Sequence, residues 1–217
     1  MANARAYRRE TTLAFTLIAS ASLLFGCDTD GQSGDQPMPN MKVETIARVH
    51  TCASCHREDG VSTAEIFPSL AGQQKDYLVV QLTAFRDHTR QDRDAKSYMW
   101  GMAAGLDDAT IGELAAYYAA KTPATGAKDP DTEFSAGEAI FEKGVAAHGV
   151  LACSSCHGAH AEGAAAFPRL AGQHKEYLIV QLAAFASGSR DNAIMHPIAK
   201  AMTTDEIEAV ASYLSSE

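Results

Sequence analysis

Hydrophobic side chains recur every three or four residues in several stretches of the chain, the spacing that places them on one face of an α-helix. The stretches are Tyr77, Leu78, Gln81, Leu82 and Phe85; Ile111, Leu114, Ala115 and Tyr118; and Ile207, Val210, Ala211 and Leu214. We find no convincing alternation of apolar and polar residues of the kind that is typical of a half-buried β-strand. The pattern therefore predicts an all-α fold.

Polar residues supply start signals for these helices. Thr203 and Glu206 have the spacing of a capping box, and Asp107 is the expected N-cap of the corresponding helix earlier in the chain. Ser135 and Glu138 form a further pair of the same kind, so a third helix is expected to begin at Ser135.

The pattern is repeated within the chain at an offset of 100 residues. The string Phe-Pro-Ser-Leu-Ala-Gly-Gln at 67–73 returns as Phe-Pro-Arg-Leu-Ala-Gly-Gln at 167–173, and the helical stretch from Tyr77 returns from Tyr177. We expect two tandem domains, at 41–120 and 134–217, joined by a linker at 121–133 that is rich in Pro, Thr, Gly and charge. Each domain is small for a hydrophobic core alone, which favours completion of the core by a large apolar cofactor.

The first 40 residues carry the features of an export signal. Basic residues at the start precede an apolar run over 13–25, and Cys27 follows directly after a glycine. We expect 1–27 to be a lipoprotein-type signal peptide with a lipidated Cys27, and 28–40 to be a flexible tether. A secretory signal cut nearby and an uncleaved anchor are the alternatives. All three place the folded part outside the cytoplasm, and lipidation predicts a periplasmic protein tethered to the membrane.

Two copies of Cys-x-x-Cys-His indicate the chemistry of the chain. The copies are Cys52, Cys55 and His56, and Cys153, Cys156 and His157. Cysteines three apart on a helical turn can each form a thioether to a haem vinyl group, and the next residue then presents its imidazole to the iron. Thioredoxin-like pairs and zinc sites also use Cys-x-x-Cys, but they need a βαβ context or further ligands. The motifs predict two covalently bound haem c groups.

Met99 and Met195 are the candidates for the second axial ligand of each iron. They coincide when the last helices of the two halves are aligned with Ile111 opposite Ile207, whereas Met102 and Met202 have no methionine opposite them. Both are expected in a polar loop, where a thioether has little reason to lie except as a ligand. The alternative is that they fill gaps in the core.

The other histidines are expected to be solvated surface residues, because they lack a counterpart in the other half or lie in polar stretches. They are His50, His88, His148, His160, His174 and His196. The carbonyls of Pro68 and Pro168 are expected to accept the ring N–H of the axial histidines, unless these are simple turn prolines. Leu70 and Leu170 would then pack on the haem faces.

The balance of charge bears on the partners. The chain has 18 Lys and Arg against 27 Asp and Glu, a formal net charge of −9. This balance argues against nucleic acid and favours redox proteins with a basic or apolar docking patch. A local cluster of Arg86, Arg90, Arg93 and Lys96 either holds haem propionates or is a solvated helix end.

The duplicated haem motifs, the Pro-x-Leu-Ala-Gly-Gln strings, the Tyr-Leu-x-x-Gln-Leu helices and the late methionines resemble the diheme class I cytochromes c, specifically the cytochrome c4 family. The resemblance covers about residues 41–217. It implies two cytochrome c folds whose haems face a shared interface, and transfer of single electrons in the periplasm, often towards a terminal oxidase. One departure is the first helix, which we expect to be shortened because the first half lacks a counterpart of Gly137 and Phe141.

The expected function is electron transfer between respiratory partners, with no catalytic activity of its own. The first alternative is the haem c electron-accepting subunit of a periplasmic dehydrogenase. The second is a diheme peroxidase-type enzyme, which would need an exchangeable coordination position on one iron.

Overall fold

The computed structural model describes residues 41–126 and 132–217, and both stretches are helical. The α-helices are α1 (Val43–His56), α2 (Lys75–Arg86), α3 (Trp100–Ala103), α4 (Asp108–Ala119), α5 (Thr132–Lys143), α6 (Ser154–His157), α7 (Lys175–Ser187), α8 (Met195–Ala201) and α9 (Thr204–Ser216). A π-helical segment, Ala95–Met99, precedes α3, and a short 3-10 helix, Ala146–His148, follows α5. The described residues contain isolated β-bridges but no strand. The predicted all-α fold is confirmed.

Each half has its own hydrophobic core, built between its first and last helices and its central helix. In the first half α2 and α1 pack on α4, and in the second half α7 and α5 pack on α9. Fully buried side chains mark the two cores: Val49, Ile111 and Leu114 in the first, and Phe141 and Val210 in the second. The helical stripes predicted from the sequence therefore face these cores.

The predicted start signals are confirmed for α4 and α9. The Asp107 carboxylate accepts the Thr110 backbone N–H at 2.7 Å, and Thr203 and Glu206 form both hydrogen bonds of a capping box. The prediction that a helix begins at Ser135 is wrong, because α5 begins at Thr132. Phe134 packs edge-on against Tyr213 of α9, with ring centroids 5.2 Å apart, so a tertiary contact extends the helix upstream of the apparent cap.

The expectation of a shortened first helix is also wrong. Helix α1 has 14 residues and runs without a break into the first haem motif, whereas α5 has 12 and is separated from α6 by a loop. Where α5 crosses α9, a Cβ on Gly137 would lie 2.1 Å from the Ala209 carbonyl oxygen. At the first crossing, Thr45 of α1 donates its hydroxyl hydrogen to Glu113 of α4 at 2.5 Å, so a polar contact replaces the close backbone approach.

Several predictions fall on the N-terminal residues. The signal peptide at 1–27, the tether at 28–40 and Cys27 lie outside the described residues. The proposed boundaries of the domains and of the linker at 121–133 stay predictions, although the first two residues of α5 fall within the predicted linker. Among the described residues, no helix has both the length and the apolar character needed to cross a membrane.

Candidate haem sites

A cavity of about 660 Å³ lies between the two halves, and both haem motifs open into it. Seven of the eight predicted site residues line it: Cys52, His56, Met99, Cys153, Cys156, His157 and Met195. The eighth, Cys55, is half-buried on α1, three residues after Cys52. Most of the remaining wall is apolar, and Leu70 and Leu170 belong to it as expected.

The two motif histidines are held in the same way. His56 is the last residue of α1 and His157 the last residue of α6, and both are buried. Nδ1 of His56 lies 2.9 Å from the Pro68 carbonyl oxygen, and Nδ1 of His157 lies 3.0 Å from that of Pro168. A carbonyl can only accept, so each Nδ1 carries the hydrogen and each Nε2 keeps its lone pair. The predicted proline contacts are confirmed, and both rings are oriented for metal binding through Nε2.

Burial sets the protonation states in the site. It lowers the pKa of His56 and of His157 against the opposing effect of the proline carbonyls, so both imidazoles are neutral and can donate to a metal. Burial also raises the pKa of the Cys52 thiol, and it raises that of Cys153 to about 11. A raised thiol pKa disfavours the thiolate that a thioredoxin-like redox pair requires.

The two methionines lie on helices, so the expectation of polar loops is wrong. Met99 is the last residue of the π-helical segment, and Met195 is the first residue of α8. Polar side chains before them accept backbone N–H groups where these helices begin. The Asp92 carboxylate accepts the Ala95 N–H at 3.4 Å, and the Asn192 side-chain oxygen accepts the Met195 N–H at 2.9 Å.

The other two methionines differ from this pair. Met102 is about half exposed, whereas Met202 packs against the second core and also lines the cavity. Met202 is therefore the natural comparison for Met195 in any ligand assignment.

The remaining histidines do not line the cavity, and two of them depart from expectation. His50, His88, His148 and His160 are exposed as predicted. His174 and His196 are half-buried instead: Nε2 of His174 lies 3.0 Å from the Ser62 carbonyl oxygen of the other half, and Nδ1 of His196 lies 2.7 Å from that of Phe185. A contact with the other half explains the first correction, and a contact with the preceding helix α7 explains the second.

A ring of four hydrogen bonds joins the halves beside the cavity. Arg90 and Arg190 each donate to the side-chain oxygens of both Gln81 and Gln181, at 2.6 to 2.9 Å. Arg90 also pairs with Asp92 at 2.7 Å, and only about 6% of its side chain is exposed. For Arg90 the interpretation as a solvated helix end is therefore wrong.

A second set of contacts between the halves involves Gln73 and Gln173, the last residues of the repeated strings. Each side-chain amide pairs with the backbone of the other half, Gln73 with Arg169 and Gln173 with Ser69. Sequence reasoning assigned no role to these glutamines or to Arg190. The available signal was the recurrence of the same polar residue at an offset of 100 in both halves.

The donor groups of each half fit a haem c. Each half presents two thiols at the spacing for thioether links, one neutral imidazole with a free Nε2 and one thioether sulfur, beside a largely apolar cavity. These are the donor types of a covalently attached haem with histidine and methionine ligands.

Comparison with known proteins agrees with this chemistry. The sequence model of the family described as Cytochrome c matches residues 31–119 and again 134–217. Cytochrome c4 of Azotobacter vinelandii is 38% identical over 174 residues, which cover 75% of this chain and 82% of that relative. The chain belongs to the cytochrome c4 family. It therefore binds two haem c groups covalently, in two tandem cytochrome c domains, and is a diheme electron-transfer protein.

Two further relatives bear on structure and partners. The solved structure of cytochrome c4 from Acidithiobacillus ferrooxidans has a TM-score of 0.74 and 42% identity, and the match covers 77% of this chain and 99% of that one. The thiosulfate dehydrogenase electron acceptor of Thiomonas intermedia (strain K12) is 46% identical over 174 residues, covering 77% of this chain and 78% of the relative.

Proposed function

We propose that this cytochrome c4 is a periplasmic carrier that passes single electrons between respiratory partners, towards a terminal oxidase, and that His56 with Met99 and His157 with Met195 ligate its two irons. The observation that carries the proposal is that both histidine and methionine pairs line one cavity between the halves. Each bound haem supplies an iron that stores one electron by changing between the ferric and ferrous states. Two such groups beside one cavity suit the relay of single electrons.

The residues around the cavity have supporting roles in this proposal. The carbonyls of Pro68 and Pro168 fix the ring orientation of the two histidines and strengthen them as donors. The apolar wall keeps water away from the ligands, and the hydrogen bonds between the halves hold the two sites in one arrangement. A rigid, dry site changes little when its charge changes, which favours fast electron transfer.

Carbon monoxide binding tests whether both irons are fully ligated. We expect the Soret bands of the fully reduced protein to stay unshifted when carbon monoxide is added at neutral pH, because the methionines occupy the position that it would take. A Met195→Ala variant is the positive control and should bind carbon monoxide at one haem. Rapid binding by the wild-type protein would reject the carrier and favour the peroxidase-type alternative.

We also propose that Cys27 anchors the protein to the membrane through a lipid, which would make it a tethered carrier. A Cys27→Ser variant should not incorporate labelled palmitate and should leave the mature membrane-bound pool. Wild-type protein that is fully soluble, with a mature N-terminus beyond residue 27, would contradict the anchor and leave the carrier function untouched.

A second candidate function is the electron-accepting subunit of a dehydrogenase. It is favoured by the 46% identity to a protein named as a thiosulfate dehydrogenase electron acceptor. Purification from native membranes in mild detergent separates the two candidates. A dedicated subunit should co-purify with its catalytic partner in a fixed ratio, whereas a general carrier should purify alone and be reduced by more than one donor.

A further inference from the structure

The peptide group between Pro68 and Ser69 is hydrogen-bonded at both ends, to different halves of the molecule. Its carbonyl oxygen accepts Nδ1–H of His56 at 2.9 Å, and its N–H donates to the side-chain oxygen of Gln173 at 2.9 Å. The Gln173 side-chain nitrogen in turn donates to the Ser69 carbonyl at 3.0 Å. A glutamine of the second half therefore holds the peptide that holds the histidine of the first half.

The same arrangement occurs in the opposite direction. The peptide between Pro168 and Arg169 accepts Nδ1–H of His157 at 3.0 Å, and its N–H donates to the Gln73 side-chain oxygen at 2.7 Å. The Gln73 side-chain nitrogen donates to the Arg169 carbonyl at 2.9 Å. Each half thus supplies one glutamine to the other half's histidine.

The orientation of both glutamine amides is fixed by the backbone. The Gln73 side-chain oxygen also accepts the Gln74 N–H at 2.9 Å, and that of Gln173 accepts the His174 N–H at 3.1 Å. With two N–H donors on one side and a carbonyl on the other, an exchange of oxygen and nitrogen would break every bond. Both side chains are about 94% buried, since their exposed fraction is 6%, so water competes little with these bonds.

A peptide group that donates its N–H becomes a better acceptor at its carbonyl, because hydrogen bonds in a chain polarise one another. A stronger carbonyl acceptor draws the Nδ1 hydrogen away from the imidazole and raises the electron density at Nε2. A histidine that donates more electron density to the iron stabilises the ferric state relative to the ferrous state. Each glutamine should therefore lower the reduction potential of the haem in the opposite half.

We infer that Gln73 and Gln173 are positioning residues that couple the two haem sites, each acting through the proline peptide of the opposite half on that half's axial histidine. The inference rests on the proposed function, in which His56 and His157 ligate the irons. Each glutamine acts on the histidine of the other half only through this peptide group, to which it is hydrogen-bonded.

Spectroelectrochemistry of the two single variants tests the coupling. Gln173→Leu should raise the potential of the haem attached at Cys52 and Cys55, and Gln73→Leu that of the haem attached at Cys153 and Cys156. The haems are distinguished by the NMR signals of variants that lack one pair of cysteines. Gln74→Leu is the matched control, because Gln74 also bonds across the halves, to the Glu162 carbonyl at 2.9 Å, but contacts neither proline peptide. It should shift neither potential.

Each result decides the inference. The inference is overturned if the reduction potential rises for the haem of the substituted half, rises equally for both haems, or does not rise at all. If a leucine variant does not fold, Gln173→Glu keeps an acceptor for the Ser69 N–H. That variant should not raise the potential of the first haem, and a rise would contradict the coupling.

A second readout separates failure of this inference from failure of the proposed ligation. Isotope-labelled histidine in the wild-type ferric protein should show two imidazoles shifted by iron, and Gln173→Leu should move the Nδ1–H signal of His56 but not that of His157. If no imidazole is shifted by iron, the ligation itself is wrong. If both are shifted but the glutamine variants move neither signal, only the coupling is wrong.

Discussion

At the scale of single residues, burial decides what the motif side chains can do. His56 and His157 are neutral because burial lowers their pKa, and each has one ring nitrogen already occupied by a carbonyl. Their remaining lone pairs lie beside an apolar cavity, where a metal ligand is favoured and a solvated proton carrier is not. The cysteines one and four positions before each histidine have the spacing of a covalent haem attachment.

Haem attachment can be tested one half at a time. A double variant, Cys153→Ala with Cys156→Ala, should retain one haem per chain in a pyridine haemochrome assay, because Cys52 packs against a different hydrophobic core from Cys153. The matched variant Cys52→Ala with Cys55→Ala should also retain one. Loss of both haems from soluble protein in either variant would show that the two halves do not bind haem independently.

The number of haem groups and the proline contacts could be predicted from the sequence because their signals are local. Each Cys-x-x-Cys-His motif lies within five residues, and the proline contacts follow from a repeated string. The roles of Gln73 and Gln173 could not be predicted, because each depends on a backbone group about 100 residues away in the other half. The same reason applies to His174, whose partner Ser62 lies in the other half.

At the scale of helices, the first and last helices of each half cross, but the contacts at the crossing differ between the halves. Gly137 lets α5 approach the backbone of α9, whereas Thr45 and Glu113 make a polar contact between α1 and α4. The sequence alignment showed only that the first half lacks the glycine. It could not show that α1 still crosses α4, since a crossing is recognised by the packed pair and not by one residue type.

The crossing in the second half predicts a large effect of a single methyl group. Gly137→Ala places a Cβ 2.1 Å from the Ala209 carbonyl oxygen, so α5 and α9 must move apart, at a cost of about 2 kcal/mol in the free energy of unfolding. Gly112→Ala is the control, because among the described residues no atom outside the neighbouring backbone of α4 would lie within 4 Å of its Cβ. It should stabilise by about 0.5–1 kcal/mol through helix propensity. Equal effects in denaturant unfolding would contradict the account of the crossing.

At the scale of the whole molecule, the halves are joined by reciprocal polar contacts around the shared cavity. The contacts that cross between the halves are the hydrogen bonds of Arg90 and Arg190, those of Gln73 and Gln173, and those of Gln74 and His174. Buried polar contacts of this kind require specific geometry and leave a costly unpaired group when one partner is lost. They fix how the two sites face each other.

Loss of one arginine should therefore weaken the whole assembly. Arg190→Met removes three hydrogen bonds, to the side-chain oxygens of Gln181, Gln81 and Tyr77. It should lower the free energy of unfolding by about 2 kcal/mol, because the three acceptors would stay buried without these donors. Arg57→Met is the control, because the Arg57–Asp59 pair is about half exposed on both sides. Arg57→Met should leave the stability of the holoprotein unchanged. An equal loss of stability in the two variants would argue that the hydrogen bonds of Arg190 do not hold the halves together.

The central claim is that two histidine and methionine pairs serve one diheme carrier, and the sulfur-to-iron band of the ferric protein in the near infrared tests it most directly. The wild-type band should report two methionine-ligated irons. Met99→Ala and Met195→Ala should each remove about half of its intensity, whereas Met202→Ala, which removes a cavity-lining methionine without a counterpart, should leave it intact. An unchanged band in Met99→Ala or Met195→Ala, or its loss in Met202→Ala, would contradict the account.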